Sequence, residues 1–528
     1  MAWGLFFCYN SRMKVDLKAV YRLSEEHTRR LMIGLFAALA VLVLLQSVFS
    51  PLIVLAAVLT VTFAAMTLTR PLWTLAFLAV FLPFEPFLLK FVPVEVYLFA
   101  RFFSEGLVYA LCLVTASRVL MKQAKGVQTP VGLPFVLFLV VLAASALVNA
   151  VDPTTAALGV RQIIRFILVF FVAAHLAPPK AYVLRLTQVM LAIVAVQASI
   201  GLAQAFIGEP LDALLLPSEA RTFGDITLTA GVSQFWDPGS RVFATLGRYD
   251  RLGNFLAFFL LIAAAMLYQK GNIRDRRELL SLFALALPAL VLTYSRASWF
   301  AFLFGFLFIA LYLHRDRRVA AVFASVLILA GAYVWASGLN VRFITEAPGQ
   351  TLVERFYETF SASRWRSEYY GLGRVYWMVQ TPITVVPAAP LFGFGPGQFG
   401  GGAVSALHDT SAYDRLGLPF GVYGTEGYVD NNWLSLWGET GTIGLAFFLW
   451  MYLALFAFAV RTARTHADPQ VRALAGGYAA ALIGFAFIAM LSTAFEIRTN
   501  GYYLWLFGGL LVAIAHGKGK THDHPAGQ

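Results

Sequence analysis

Residues 430–460 read DNNWLSLWGETGTIGLAFFLWMYLALFAFAV. The sixteen positions after Gly444 are all apolar, and the run stops at Arg461, with Arg464 and Arg472 close behind. Taken from Asn431, the stretch exceeds the ~20 residues that a helix needs to cross a bilayer. Its two ends differ in character. One carries Asp430, Asn431 and Glu439, and the other carries only arginines.

Working outward, the same contrast repeats along the whole chain. Apolar stretches divide the sequence into about fourteen candidate spans of ~20 residues each. The loops between them alternate between basic and non-basic. The basic set comprises Arg12, Lys14, Lys18, Arg22, Arg29 and Arg30, then Arg118, Lys122 and Lys125, then Lys180 and Arg185. It continues through Lys270, Arg274, Arg276 and Arg277, then Arg315, Arg317 and Arg318, and ends with Arg461, Arg464, Arg472, Lys518 and Lys520. The positive-inside rule makes these loops, and with them both termini, cytoplasmic. The opposite side holds Arg241, Arg248, Arg251, Arg296, Arg355, Arg364, Arg366 and Arg374, with Lys90 as its lone lysine. Arginine on the wrong side for topology suits bidentate contact with carboxylate or phosphate.

Composition agrees. Hydrophobic residues make up 59% of the chain and charged residues 13%, with a mean hydropathy of +0.72, which excludes an ordinary soluble domain. A net charge of +12 would suit a nucleic-acid binder, but nearly all the excess lies in short loops where it sets orientation. Cys8 and Cys112 offer neither a disulfide nor a metal-ligand spacing. The expected organisation is a basic tail (1–30), seven helices (31–207), an outer loop (208–250) and four helices (251–337). A large outer loop (338–430), three helices (431–516) and a short tail (517–528) complete it. Apolar residues recur at helical spacing between Leu352 and Gln380, which predicts amphipathic helices in that loop.

Four outer segments carry polar groups that an apolar chain has reason to avoid. They are Arg241 to Asn254, the turn holding Ser295 and Arg296, the stretch from Arg374 to Phe399, and Asp430 to Gly444. Arg296 alone reads equally as an interfacial anchor, and the GFGPGQFG run reads equally as a plain flexible turn. Asp430 reads equally as a helix cap. Glu439, inside an apolar helix, reads as a pairing or functional carboxylate. Glu85, Glu105, Arg101, Arg161 and Arg165 raise the same issue, with Arg161 and Arg165 spaced to pair with one of the glutamates.

Together these segments resemble the bacterial O-antigen ligase and O-antigen polymerase superfamily over roughly residues 235–455. The matching residues are Arg241, Thr245 and Asn254, then Ser295 and Arg296, then Arg374 before Pro390, Leu391, Gly393 and Gly395, and last Asn431, Gly441 and Gly444. Asp430 stands where the ligases carry a histidine, which inclines the likeness toward the polymerase branch. The resemblance implies an all-α polytopic, GT-C-like fold with a large periplasmic loop. It implies an inverting transfer, without metal or cofactor, from an undecaprenyl-diphosphate-linked glycan to an acceptor glycan hydroxyl. Arg296, Arg374 and Asp430 would be catalytic, and Arg241, Arg248, Asn254, Asn431 and Glu439 would bind substrate. The setting would be the phospholipid bilayer of a bacterial inner membrane, with a flippase and a chain-length regulator as partners and no nucleic acid. A ligase or protein O-oligosaccharyltransferase shares this chemistry. A lipid-linked glycan flippase or small-anion transporter is the competing class.

The charge pattern has a direct test. Reporter fusions placed after Lys518 and within 355–370 should report opposite sides of the membrane; the same side for both would defeat the topology.

Overall fold

The computed structural model describes residues 32–33, 46–122, 127–217, 221–223, 226–228, 241–269, 273–337, 356, 359–421 and 426–516. The expected span near 31–49 therefore lies mostly outside the described residues. Two compact units emerge. The smaller takes in 1–63 and 93–99, and its described part is chiefly the helix beginning at Pro51. The larger, 64–92 and 100–528, contains everything that follows.

Apart from a hairpin of two three-residue strands, Arg221–Phe223 and Ile226–Leu228, the described elements are helices. Seven are long and apolar enough to cross a membrane, or eight if the bent pair Pro153–Ile164 and Ile167–Leu176 is one span. Other expected spans form helices that fall short of that measure. Pro71–Phe81 and Gly132–Val148 are short, Ile273–Leu292 opens on a charged turn, and Arg498–His516 opens on Arg-Thr-Asn. The bend of 53° in the pair comes at Arg165 and Phe166, where a single straight span was expected. Arg165, at the bend, donates to the Glu496 carbonyl at 2.7 Å.

Three helices form the centre of the larger unit. Tyr249–Leu267, Pro469–Ala489 and Arg498–His516 are buried along most of their length. Phe258, Phe485 and Phe507 pack edge to face among them. Small residues set the spacing, as small residues do between membrane helices. A Cβ at Gly477 would come within 2.5 Å of the Ile262 Cα. Charged contacts gather at two ends of this unit. At one end Lys180 pairs with Asp468, Tyr268 bonds Asp316, and Arg464 covers the Tyr312 ring. At the other lie Arg248, Arg374, Asp430 and Arg498.

The 34-residue helix Asn432–Thr465 holds the feature that organises this second end. Asn431 caps it, accepting from the Leu434 amide at 3.1 Å. Asp430 is therefore not the cap. Two turns in, Gly441 leaves helical geometry at φ 68°, ψ −174°, and the local ladder breaks. The segment 390–397 fills the break. Phe394 N donates to Gly438 O (2.8 Å) and Gly395 N to Glu439 O (3.0 Å), while Thr442 N donates to Pro390 O (2.9 Å) and Ile443 N to Leu391 O (3.3 Å). Ser145 and Asn149 brace the loop from a neighbouring helix through the Phe392 and Gly393 carbonyls. Thus GFGPGQFG is a buried, paired segment and not a plain turn.

Gly393 sits at φ +67°, and a Cβ there would lie 2.4 Å from the Gly438 carbonyl oxygen. Gly393→Ala should cost at least the ~1–3 kcal/mol of left-handed strain, read as a lowered Tm of the purified protein. Gly106→Ala, in a helix with open space at the Cβ, should be neutral or gain ~0.5–1 kcal/mol. Equal Tm values for the two variants would mean that the loop does not lock into the break.

Candidate functional site

The site is built on Arg374. Helix Ala362–Tyr370 ends at Gly371, and after a two-residue turn Arg374 begins Arg374–Gln380. Glu368 lies across that turn, its Oε2 accepting from the Arg374 amide at 3.2 Å and its Oε1 accepting from Arg364 Nη2 at 2.8 Å. The Arg374 guanidinium then reaches out. Nε donates to the Leu491 carbonyl at 2.8 Å and Nη2 to Asp430 Oδ2 at 3.2 Å. Burial works against its charge, but Asp430 and Glu368 outweigh that and hold its pKa above the ordinary arginine value.

Other cations converge on the same corner. Arg248 pairs with Asp250 at 2.8 Å and lies in electrostatic range of Asp430. Asp250 holds the pKa of Arg248 above its ordinary value, against the pull of burial. Arg251 lies near Arg248, Asp250, Arg101 and the Tyr428 hydroxyl. Tyr249 lies near Arg374, and the guanidinium of Arg241 covers its ring at 4.3 Å. Five arginines (Arg101, Arg248, Arg251, Arg364 and Arg374) thus face three carboxylates, Asp250, Glu368 and Asp430. That excess of positive charge suits an anionic ligand.

Of the expected site residues, Arg374, Asp430 and Arg248 come together, with Arg241 beside them through Tyr249. Arg296 opens the helix Arg296–Leu307, one turn before Phe300, whose ring meets Phe487 and Phe356. Leu491, one turn beyond Phe487, is the residue that accepts from Arg374. Arg296 therefore belongs to the same end of the unit. Asn254 lies deeper, its Oδ1 accepting from Ser298 Oγ at 2.8 Å in a buried hydroxyl cluster with Ser295. Asn431 is engaged as the helix cap, and Glu439 is buried beneath the glycine loop, where it accepts from the Gly397 amide at 3.1 Å. Glu105 takes both Arg161, at 2.6 Å, and Arg165, at 3.4 Å, so that trio is a structural ion-pair network. Glu85 pairs separately with Arg498 at 2.7 Å.

Sequence reasoning missed Glu368, Tyr428 and Glu496 as neighbours of the site, and took in Asp250 and Arg251 only as part of the segment Arg241 to Asn254. Two signals were present. Arg364 and Glu368 stand at i and i+4 on one helix, and Arg248 and Arg251 stand three apart at a helix start. Glu496 has no local signal, since its partners Gln162 and Gly402 are remote in sequence. Among the described residues no group of three His, Cys, Asp or Glu is placed to hold a metal ion.

Residues 280–449 match the family model described as O-Antigen ligase. The likeness is to that family over this segment, about a third of the chain. The match covers the Arg296 turn, the Arg374 helix, the glycine loop and the broken helix together. No curated protein matches the chain. The match, on a chain with several helices apolar enough to cross a membrane, supports a glycan-processing function of the O-antigen ligase or polymerase type.

Glu496 offers a pH test of the packing behind the site. Burial raises its pKa above the ordinary carboxylate value of 4.5, against the hydrogen bonds from Gln162 and Gly402. A raised carboxyl stabilises the fold fully below 4.5, and that contribution is lost as pH climbs through the folded value. Tm should therefore fall with rising pH in the wild type, and Glu496→Gln should flatten the slope. An unchanged slope would show that Glu496 ionises as freely folded as unfolded.

Proposed function

We propose that the protein is an inverting, metal-independent glycosyltransferase of GT-C type. Its donor is a glycan on undecaprenyl diphosphate and its acceptor is a glycan hydroxyl, on the periplasmic side of a bacterial inner membrane. The observation that carries this reading is the contact of Arg374 with Asp430. A cation for a departing diphosphate and a carboxylate for an attacking hydroxyl meet at one point.

The reaction joins an acceptor hydroxyl to the anomeric carbon of the donor sugar. The hydroxyl gives its proton to Asp430 as its oxygen forms the new bond. The bond from the anomeric carbon to the phosphate oxygen breaks, and its electron pair leaves with the diphosphate. Arg374, Arg248 and Arg296 stabilise that developing charge, with Arg241 holding Tyr249 beside them. Preorganised donors aimed at charge that appears only in the transition state are the largest single contribution in many such reactions. Asn254, Asn431 and Glu439 support the site from the helices and loop behind it.

The polymerase branch is favoured because Asp430 replaces the histidine of the ligases. Ligase and protein O-oligosaccharyltransferase activities differ from it only in the acceptor. A flippase and a chain-length regulator are the partners that a polymerase implies. The flippase and anion-carrier readings give no account of a carboxylate held on an arginine within a folded outer loop.

Arg374→Ala and Arg296→Ala should each lower turnover by about 10²–10³ while the protein remains folded, and Arg→Lys should rescue poorly because the planar fork is lost. Asp430→Asn should abolish turnover without unfolding, because Asn431 and not Asp430 caps the helix. Asp430→His should keep part of the activity. The assay is chain growth on gels from purified protein and lipid-linked repeat units. Wild-type growth in Asp430→Asn and Arg374→Ala would end this reading of the site.

A further inference from the structure

Arg374 is held by two carboxylates, and they are not equivalent. Glu368 is fixed. Its side chain is 17% exposed, it accepts from the Arg374 amide and from Arg364, and Gly373 leaves it the room. A Cβ at Gly373 would come within 2.3 Å of Glu368 Oε2. Asp430 is loose by comparison. Its side chain is 50% exposed, and among the described residues its one hydrogen bond is the 3.2 Å contact with Arg374 Nη2. The remaining anchor, Nε to the Leu491 carbonyl, is backbone and does not depend on either carboxylate.

We propose that Asp430 occupies, in the resting site, the place on Arg374 that the anionic leaving group of the donor takes. Donor binding exchanges one carboxylate for a diphosphate on the same guanidinium. An exposed single-contact ion pair contributes roughly 0–1 kcal/mol. A diphosphate brings more charge and can meet the planar fork bidentately. It also meets Arg248 and its neighbours, which Asp430 faces only across the corner. The exchange leaves Arg374 in place, because Glu368 and Leu491 still hold it. It releases Asp430 two residues from Tyr428, at the mouth of the helix that Asn431 caps. The released carboxylate offers both oxygens to an acceptor hydroxyl once a donor is seated, where the resting one offers only Oδ1. This favours donor before acceptor. This inference rests on the reading of the site given above and adds to it a favoured order of events.

The test uses full-length protein in detergent and inorganic pyrophosphate as the probe, with binding followed by titration calorimetry. Asp430→Asn should bind pyrophosphate roughly two- to fivefold more tightly than wild type, the size of one exposed ion pair removed as competitor. Glu368→Gln removes the same unit of charge and should bind no more tightly than wild type. In an Arg374→Ala background, Asp430→Asn should change affinity no further. Equal affinity in wild type and Asp430→Asn, with Arg374→Ala still impaired, overturns the exchange and leaves the arginine site standing. Equal tightening in Asp430→Asn and Glu368→Gln also overturns it, since bulk charge then explains both. Affinity that Arg374→Ala leaves untouched overturns the underlying reading as well.

Discussion

A helix running through apolar surroundings cannot leave its backbone groups unpaired. The break at Gly441 violates that rule in the helix Asn432–Thr465, and the segment 390–397 repairs it by pairing with backbone on both sides. The repair fixes two distant parts of the chain in one register. Upstream, the loop continues from the helical run that begins at Arg374. At the mouth of the broken helix stands Asp430. Locking loop to helix therefore brings the arginine to the carboxylate. Glycine is required on both sides of the seam, because a Cβ at Gly441 would lie 2.3 Å from the Leu391 carbonyl oxygen. The spacing that links Asn431, Gly441 and Gly444 is thus first a packing requirement.

The described residues between Phe394 and Val429 pack, with Trp377, into a core of their own. Phe399 and Tyr413 belong to it, and Tyr413 ties two glycine turns together by accepting from Gly400 N and donating to Gly427 O. Behind it, Glu496 receives Gln162 and the Gly402 amide, and Arg165 meets the Glu496 carbonyl. The site end thus rests on helices from both halves of the larger unit. Rigid support of this kind matters for a charge-stabilising site, where misplacement by about 1 Å can cost 10²-fold in rate.

Much of this was legible in the residues. The membrane class followed from hydropathy. Arg374, Arg248 and Asp430 could be singled out because charge in such a chain needs a reason. That Arg161 and Arg165 pair with one of the glutamates was readable from their spacing of one helical turn, but not that the partner is Glu105. What could not be read was the three-dimensional closure. Nothing local in GFGPGQFG says that its backbone completes a helix some forty residues away, and the cap read for Asp430 falls to Asn431 only in the folded geometry. Glu368 was hidden for a related reason, since its role depends on a turn that folds it back over the Arg374 amide. The number of spans was the least secure reading, because hydropathy does not see the bend at Arg165 or the polar opening of Arg498–His516.

On the proposed reading, Arg374 and Asp430 act as one unit, held together by the loop and helix that carry them. A double-mutant cycle on turnover tests it most directly, using Arg374→Ala, Asp430→Ala and the double variant with a lipid-linked donor. Residues acting as a unit show strong non-additivity, with coupling of roughly 0.5–3 kcal/mol. The double variant should be scarcely slower than the worse single variant. Losses that simply add would show two independent residues and contradict that reading.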